Sequence, residues 1–134
     1  MDLKELYKIA EEKNVKVMDF SLPENKSVCI EVDDGCFVGV DPAVFSSTRE
    51  EKVVLAHELG HIETGGFYAV GSNSAVRSKQ EAKAEKWTIN SLVPLDELKK
   101  AIKNGCCDVQ SLAEHFEVTE KFMYDVILHY RKKN

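Results

Sequence analysis

The pattern His-Glu-Leu-Gly-His at residues 57–61 constrains the fold of this chain more than any other stretch. Residues four apart in an α-helix project from one face about one turn apart, so His57 and His61 can bind one ion together. Imidazole nitrogens are good zinc ligands, and a catalytic zinc takes three protein ligands and leaves one position open. Glu58 is rotated by about 100° from His57 and would stand beside that position. The pattern therefore predicts a helix with two metal ligands and a neighbouring carboxylate.

Glu58 has the chemistry of a general base. A carboxylate beside a metal can take the proton of a water molecule that attacks a peptide carbonyl, and the HExxH pattern supports this reaction. Alternatively, the two histidines lie by coincidence on a core-facing helix, and their apolar neighbours Leu55 and Leu59 favour this interpretation. It leaves Glu58 unexplained, because burying a carboxylate and two imidazoles without partners costs on the order of several kcal/mol.

A pair of acidic residues follows the two histidines, in the segment QEAKAEKWTINSLVP, which is predicted to be helical. Glu81 and Glu85 are four residues apart and therefore share one helix face. Some metallopeptidases have this layout: a glutamate from a second helix is the third zinc ligand, and the next carboxylate orients a histidine ligand. We assign these roles to Glu81 and Glu85. For Glu85 the alternative is an ordinary surface acid that pairs with a lysine.

Hydrophobic periodicity predicts helices and three short strands around the motif. The helices are expected at residues 2–13, 49–63, 78–92, 95–105 and 108–134, with a break near Glu117 in the last one. The strands are VKVMDF, KSVCIEV and CFVGV, and Asp34-Gly35 suits the tight turn of a hairpin. Together these elements predict an α+β fold, with a small, largely antiparallel sheet beside the motif helix. Trp87 is expected to anchor the second helix in the core.

Length and composition favour a single domain. A chain of 134 residues with 43% hydrophobic residues suffices for one core but not for two. We expect residues 1–134 to form a single metallopeptidase domain, in which residues 1–94 form the sheet and the zinc-site core and residues 95–134 form a helical C-terminal segment. The four cysteines are expected to remain free thiols.

Charge and hydropathy limit the partners and the location. A net charge of -5 disfavours a broad electrostatic grip on nucleic acid. No apolar run approaches the roughly 20 residues that cross a bilayer. The acidic start MDLKELYKIAEEKN lacks the basic end and the apolar stretch of a secretion signal. We therefore expect a cytoplasmic protein without a membrane segment.

The stretch AHELGHIETGGFY, followed by a loop and by EAKAEKWTINSLVP, resembles the ImmA/IrrE family of metallopeptidases. The resemblance is specific from Val53 to Pro94, and the preceding hairpin agrees with it. It implies a zincin-type fold, a zinc ion and cleavage of a cytoplasmic protein, namely a helix-turn-helix repressor of a phage or mobile element. Independently of the resemblance, manganese is an alternative to zinc. The sequence departs from the family at Glu85, where Asp or Asn is common, and at Thr88, where a small alanine is common.

Tyr68 is a candidate for a further catalytic role. Amide hydrolysis needs a hydrogen-bond donor near the developing oxyanion in addition to the metal. Tyr68 follows the Gly65-Gly66 pair that is expected to end the motif helix, so its hydroxyl could reach back over the metal. The alternative is a surface or packing tyrosine in a loop.

Two other functions remain open. Residues 111–127 resemble a helix-turn-helix, which would make the chain a DNA-binding regulator. In a helix-turn-helix the second helix enters the groove of the DNA. Glu120 and Asp125 lie in that helix and would be repelled by phosphate, and only Lys121 would be attracted to it. Nucleic acid is therefore not the expected partner. A metal-binding anti-repressor that binds a repressor without cutting it is the other alternative. Repressor cleavage with and without a chelator distinguishes it from the peptidase.

Overall fold

Six helices pack with a three-stranded sheet in the described part of the chain, which confirms the predicted α+β fold class. The computed structural model describes residues 1–19, 27–32, 35–41, 43, 45–65 and 72–131. The elements in chain order are α1 (Leu3–Glu12), β1 (Val15–Asp19), β2 (Ser27–Val32), β3 (Gly35–Val40), α2 (Thr48–Thr64), α3 (Ser74–Leu92), α4 (Leu95–Lys103), α5 (Val109–Phe116) and α6 (Glu120–Arg131).

The sheet is mixed, because β3 lies in its centre and pairs differently with its two neighbours. β2 and β3 form the predicted antiparallel hairpin, in which Cys29 lies opposite Val38. β1 pairs with β3 in parallel, and Val17 is the partner of Val38 on that side. The alternation of side chains indicated the strands, but it holds no information about the direction of a non-local pairing. Because the strand order is β1-β3-β2, β2 lies at an edge of the sheet, where it contacts α2.

One face of the sheet belongs to the core, and the opposite face is open. Val38 and Val40 are buried on the inner face, where they join Leu6 of α1 and Leu55 of α2 in one hydrophobic cluster. On the other face the side chain of Ile30 is 49% exposed. The inner face therefore lies towards the helix that carries the His-Glu-Leu-Gly-His motif.

The motif helix α2 begins and ends at residues that suit these positions. Ser47 caps its start, since the hydroxyl accepts a hydrogen bond from the backbone N–H of Glu50 at 3.2 Å. Gly65 ends it with φ 65°, a left-handed conformation that glycine adopts without strain. The helix thus stops one turn after His61, as the sequence predicted.

The acidic pair lies on α3, which starts four residues earlier than predicted. Asn73 caps this helix by accepting a hydrogen bond from the backbone N–H of Val76 at 2.9 Å. Ile89 and Leu92 are fully buried and hold α3 in the core. Trp87, which was predicted to anchor this helix in the core, packs against the core but is only partly buried.

The C-terminal helices are attached to both helices of the motif region. The buried ammonium of Lys52 on α2 donates a hydrogen bond to the carbonyl of Phe116 at the end of α5, at 2.8 Å. The hydroxyl of Tyr130 on α6 donates to the carbonyl of Val93, which follows α3, at 2.7 Å. The predicted break between α5 and α6 falls at Glu117, whose φ is 55°. Among the described helices none has the length and apolar character needed to cross a membrane.

Candidate metal centre

His57 and His61 lie side by side on the same face of α2. Their ring centroids are 5.0 Å apart, and the two rings are nearly perpendicular. His61 is buried, with 6% of its surface exposed, whereas a quarter of the His57 side chain is exposed. One member of the pair is therefore held rigidly by packing, and the other borders solvent.

Glu81 on α3 faces both histidines with its two carboxylate oxygens. Its Oε2 lies 2.7 Å from Nε2 of His57, and its Oε1 lies 3.2 Å from Nε2 of His61. Ligand atoms of the three residues all lie within 4.8 Å of one another. Two imidazole nitrogens and a carboxylate oxygen are a donor set that zinc prefers, and they leave room for a fourth ligand. These three residues can therefore hold a metal ion of this kind.

Gly60 allows α3 to approach α2 closely enough for Glu81 to reach the histidines. A Cβ atom at position 60 would lie 2.7 Å from the carbonyl oxygen of Ala84 and 3.2 Å from Oγ1 of Thr88. The nearer atom belongs to the backbone, so the contact cannot be relieved by a side-chain rotation. Thr88, one of the two departures from the family pattern, is fully buried at this crossing and donates its hydroxyl to the Ala84 carbonyl at 2.8 Å.

Gly60→Ala should lower both stability and metal affinity. An added methyl group would force α2 and α3 apart, at a cost of about 1–3 kcal/mol in the free energy of unfolding. The same displacement would pull Glu81 away from the histidines. Thermal unfolding and zinc titration against a chelator measure the two effects. Val118→Ala, a truncation in the core of the C-terminal segment, is the control and should lower the melting temperature without lowering zinc affinity. An unchanged affinity in Gly60→Ala would contradict this role.

Glu58 is buried beside the histidines and has a hydrogen-bond partner from the sheet. Only 8% of its surface is exposed, and its Oε1 accepts a hydrogen bond from the hydroxyl of Ser27 at 2.8 Å. Burial raises the pKa of Glu58, while the Ser27 hydrogen bond and the neighbouring histidines oppose that rise. No sequence pattern pointed to Ser27, because this residue lies in β2, 31 positions before Glu58.

His57 has a carboxylate on each side of its ring. Its Nε2 faces Glu81, and its Nδ1 lies 3.4 Å from Oε2 of Glu85. Burial alone would lower the pKa of His57, but the hydrogen bonds with Glu85 and Glu81 outweigh it and raise the pKa to about 9. The carboxylates of Glu81 and Glu85 thus favour positive charge at the position of His57. Glu85 occupies the position at which a carboxylate can orient a histidine ligand.

Glu85→Ala should weaken metal binding by about 10- to 100-fold, the usual cost of losing a carboxylate that orients a histidine ligand. The imidazole of His57 would lose the partner that fixes its tautomer and ring angle. Zinc affinity is measured by chelator competition. Glu85→Asp, which resembles the commoner family residue, should retain more affinity than the alanine variant. Equal affinity in Glu85→Ala and the wild type would leave Glu85 as an ordinary surface acid.

Tyr68, the candidate oxyanion donor, lies outside the described residues. Glu63 follows His61 by two residues on α2, but it forms an ion pair with Lys13 at 3.3 Å. Among the described residues, only His57, His61 and Glu81 form a group that could hold a metal.

The helix pair α5–α6 has the break expected of the helix-turn-helix alternative, and one side of α6 belongs to the core. Phe122, Met123 and Val126 are buried on one side of α6. Asp125 is near enough to Glu85 for the two carboxylates to interact, and burial together with this repulsion raises the pKa of Asp125. Asp125 therefore adds a negative charge on the side of α6 that lies near Glu85.

The comparisons with known proteins give one match. The family model described as the IrrE N-terminal-like domain, Peptidase M78, matches residues 10–125. The matched range includes both histidines, Glu58, the acidic pair on α3 and most of the C-terminal helices. No curated protein and no solved structure matched the chain.

Proposed function

The chain belongs to the Peptidase M78 family of IrrE N-terminal-like domains, and from this premise we propose that it is a zinc-dependent endopeptidase. We propose further that its substrate is a helix-turn-helix repressor of a phage or mobile element and that it acts in the cytoplasm. The resemblance of AHELGHIETGGFY and EAKAEKWTINSLVP to the ImmA/IrrE family supports this substrate and location. Manganese is the alternative ion.

The observation that carries the proposal is the convergence of one carboxylate and two imidazoles from two helices. Glu81 reaches Nε2 of His57 and of His61 at 2.7 and 3.2 Å. Glu58, on the same helix as the histidines, is buried beside them. A site that only held a metal for structural reasons would have no need of a buried carboxylate beside its three ligands, since burying a charge costs free energy.

The ion would be held by His57, His61 and Glu81. When bound, zinc lowers the pKa of water and polarises a peptide carbonyl, so both reactants of hydrolysis are activated. Glu58 then takes the proton of the attacking water on its carboxylate. The same carboxyl group delivers that proton to the nitrogen of the leaving amine, which prevents the peptide bond from re-forming. Glu85 keeps His57 oriented through Nδ1.

Exposure of the side chains indicates the direction from which a substrate arrives. The Glu81 and Glu85 side chains are 42% and 37% exposed, whereas Glu58 and His61 are buried. A polypeptide would therefore approach across the α3 side, and the reactive groups lie at the bottom of the site. A substrate that covers this opening would exclude water around Glu58 and strengthen its interactions.

The test is cleavage of a candidate repressor, preferably the one encoded beside this gene. The purified chain should convert it to two fragments, a chelator should stop the reaction, and added zinc should restore it. Parallel restoration with manganese compares the two ions. Mass spectrometry of the fragments identifies the scissile bond.

The remaining alternatives give different results in the same experiment. A repressor that binds the chain but stays intact under all metal conditions would favour the anti-repressor that acts without cleavage. Tight, sequence-selective binding of DNA in a low-salt gel shift would favour the helix-turn-helix regulator. Either result, without fragments, contradicts the peptidase.

A further inference from the structure

Ser27 contacts the carboxylate that the proposed reaction depends on. This serine is the first residue of the edge strand β2, and its hydroxyl donates to Oε1 of Glu58 at 2.8 Å. Val40 is its register partner on β3 and is buried. Because β2 and β3 are paired along their whole length, the backbone from which the Ser27 hydroxyl projects is held by the sheet and not by α2.

A glutamate side chain has three rotatable bonds, so a carboxylate on a helix does not by itself have one defined orientation. Glu58 lies within electrostatic reach of His57 and His61. Without a hydrogen bond that holds it in place, its carboxylate would be attracted to the metal ion and could bind that ion as an additional ligand. Such a carboxylate would no longer be available to accept a proton.

We propose that Ser27 is a positioning residue: its hydroxyl holds Oε1 of Glu58, so that Oε2 receives the proton and the carboxylate stays out of the metal's ligand set. This inference rests on the proposed peptidase function, which it deepens. It assigns a role to a residue outside both the His-Glu-Leu-Gly-His motif and the acidic pair. The sheet thereby acts directly on the base, while α2 and α3 supply the ligands.

The substitutions Ser27→Thr and Ser27→Val make a matched pair, because threonine and valine have nearly the same shape and both suit a strand. Only threonine retains the hydroxyl. Ser27→Val should lower kcat by about 10- to 100-fold, the scale on which partners of metal-site residues act, with KM changed less than about 2-fold. Ser27→Thr should recover most of kcat. Ser46→Ala, which removes an exposed hydroxyl that donates to Glu50, is the control and should match the wild type.

A second readout does not depend on activity. Cobalt(II) can replace zinc, and its visible absorption spectrum responds to the number and type of ligands. The cobalt-loaded Ser27→Val variant should show a changed spectrum because the released Glu58 carboxylate joins the metal, whereas Ser27→Thr should keep the wild-type spectrum. The spectrum of Ser27→Val combined with Glu58→Gln should return towards that of Glu58→Gln alone.

The outcomes separate this inference from the proposed function. Wild-type kcat in Ser27→Val, equal loss of kcat in the valine and threonine variants, or a wild-type cobalt spectrum in Ser27→Val would each overturn the role of Ser27. Absence of cleavage by the wild type would overturn the peptidase, and the cobalt spectra would still decide whether Ser27 holds Glu58 away from the metal.

Discussion

About one zinc ion should bind each purified chain, and replacing His57, His61 or Glu81 with alanine should abolish most of that binding. Each of the three side chains supplies one ligand atom, and the atoms lie within 4.8 Å of one another. A site reduced to two protein ligands loses the coordination that zinc requires. The loss of affinity should therefore exceed the roughly 10- to 100-fold expected for Glu85→Ala.

The measurement is metal content after dialysis, followed by zinc titration against a chelator of known affinity. Glu63→Ala is a matched control, because Glu63 lies on the motif helix but pairs with Lys13. That variant should bind zinc like the wild type. Full zinc occupancy in Glu81→Ala would remove Glu81 as the third ligand, and Glu85 would then be the next residue to test.

The parts of this fold that the sequence predicted are those encoded locally. The i, i+4 spacing of His57 and His61, a serine at the start of α2 and a glycine at its end are sufficient to place the motif helix. The same spacing identified Glu81 and Glu85 as a pair on one face. Family resemblance then indicated that the two helices meet, and Oε2 of Glu81 on α3 does lie 2.7 Å from Nε2 of His57 on α2.

The parts that the sequence did not predict depend on contacts between distant segments. The roles of Ser27 and Gly60 cannot be read from the residues next to them in the sequence. Ser27 donates a hydrogen bond to Glu58 from the edge strand of the sheet, and Gly60 permits the close approach of α2 to Ala84 on α3. The parallel pairing of β1 is equally non-local. Residue type alone also did not predict the burial of Trp87: this large aromatic side chain packs against the core but is only partly buried.

The burial of the charged side chain of Lys52 could not be predicted from its residue type either. A lysine in a helix of mixed polarity is expected at the surface, yet its side chain is buried between α2 and the end of α5. The carbonyl of Phe116 that it binds has no partner within its own helix, because the last carbonyls of a helix are free. The C-terminal segment is thereby joined to the motif helix by a contact that neither segment alone reveals.

Glu58→Gln should keep the fold and the zinc but lose cleavage by at least the roughly 10²- to 10⁴-fold that a positioned acid-base group provides. Glutamine has nearly the same shape as glutamate and can still accept a hydrogen bond from Ser27, but it cannot take up the proton of the attacking water. Its neutral side chain also replaces the buried carboxylate of Glu58, whose pKa is raised by burial. The melting temperature should therefore stay the same or rise, as is common where function imposes a cost on stability.

The assay compares repressor cleavage by the wild type and Glu58→Gln at matched zinc content, with thermal unfolding in parallel. Glu63→Gln, on the same helix but paired with Lys13, is the control for the substitution itself and should cleave normally. Loss of zinc in Glu58→Gln would make Glu58 a ligand and not a base. A variant that retains zinc and cuts as fast as the wild type would contradict proton transfer by Glu58, because no other carboxylate among the described residues is buried beside both histidines.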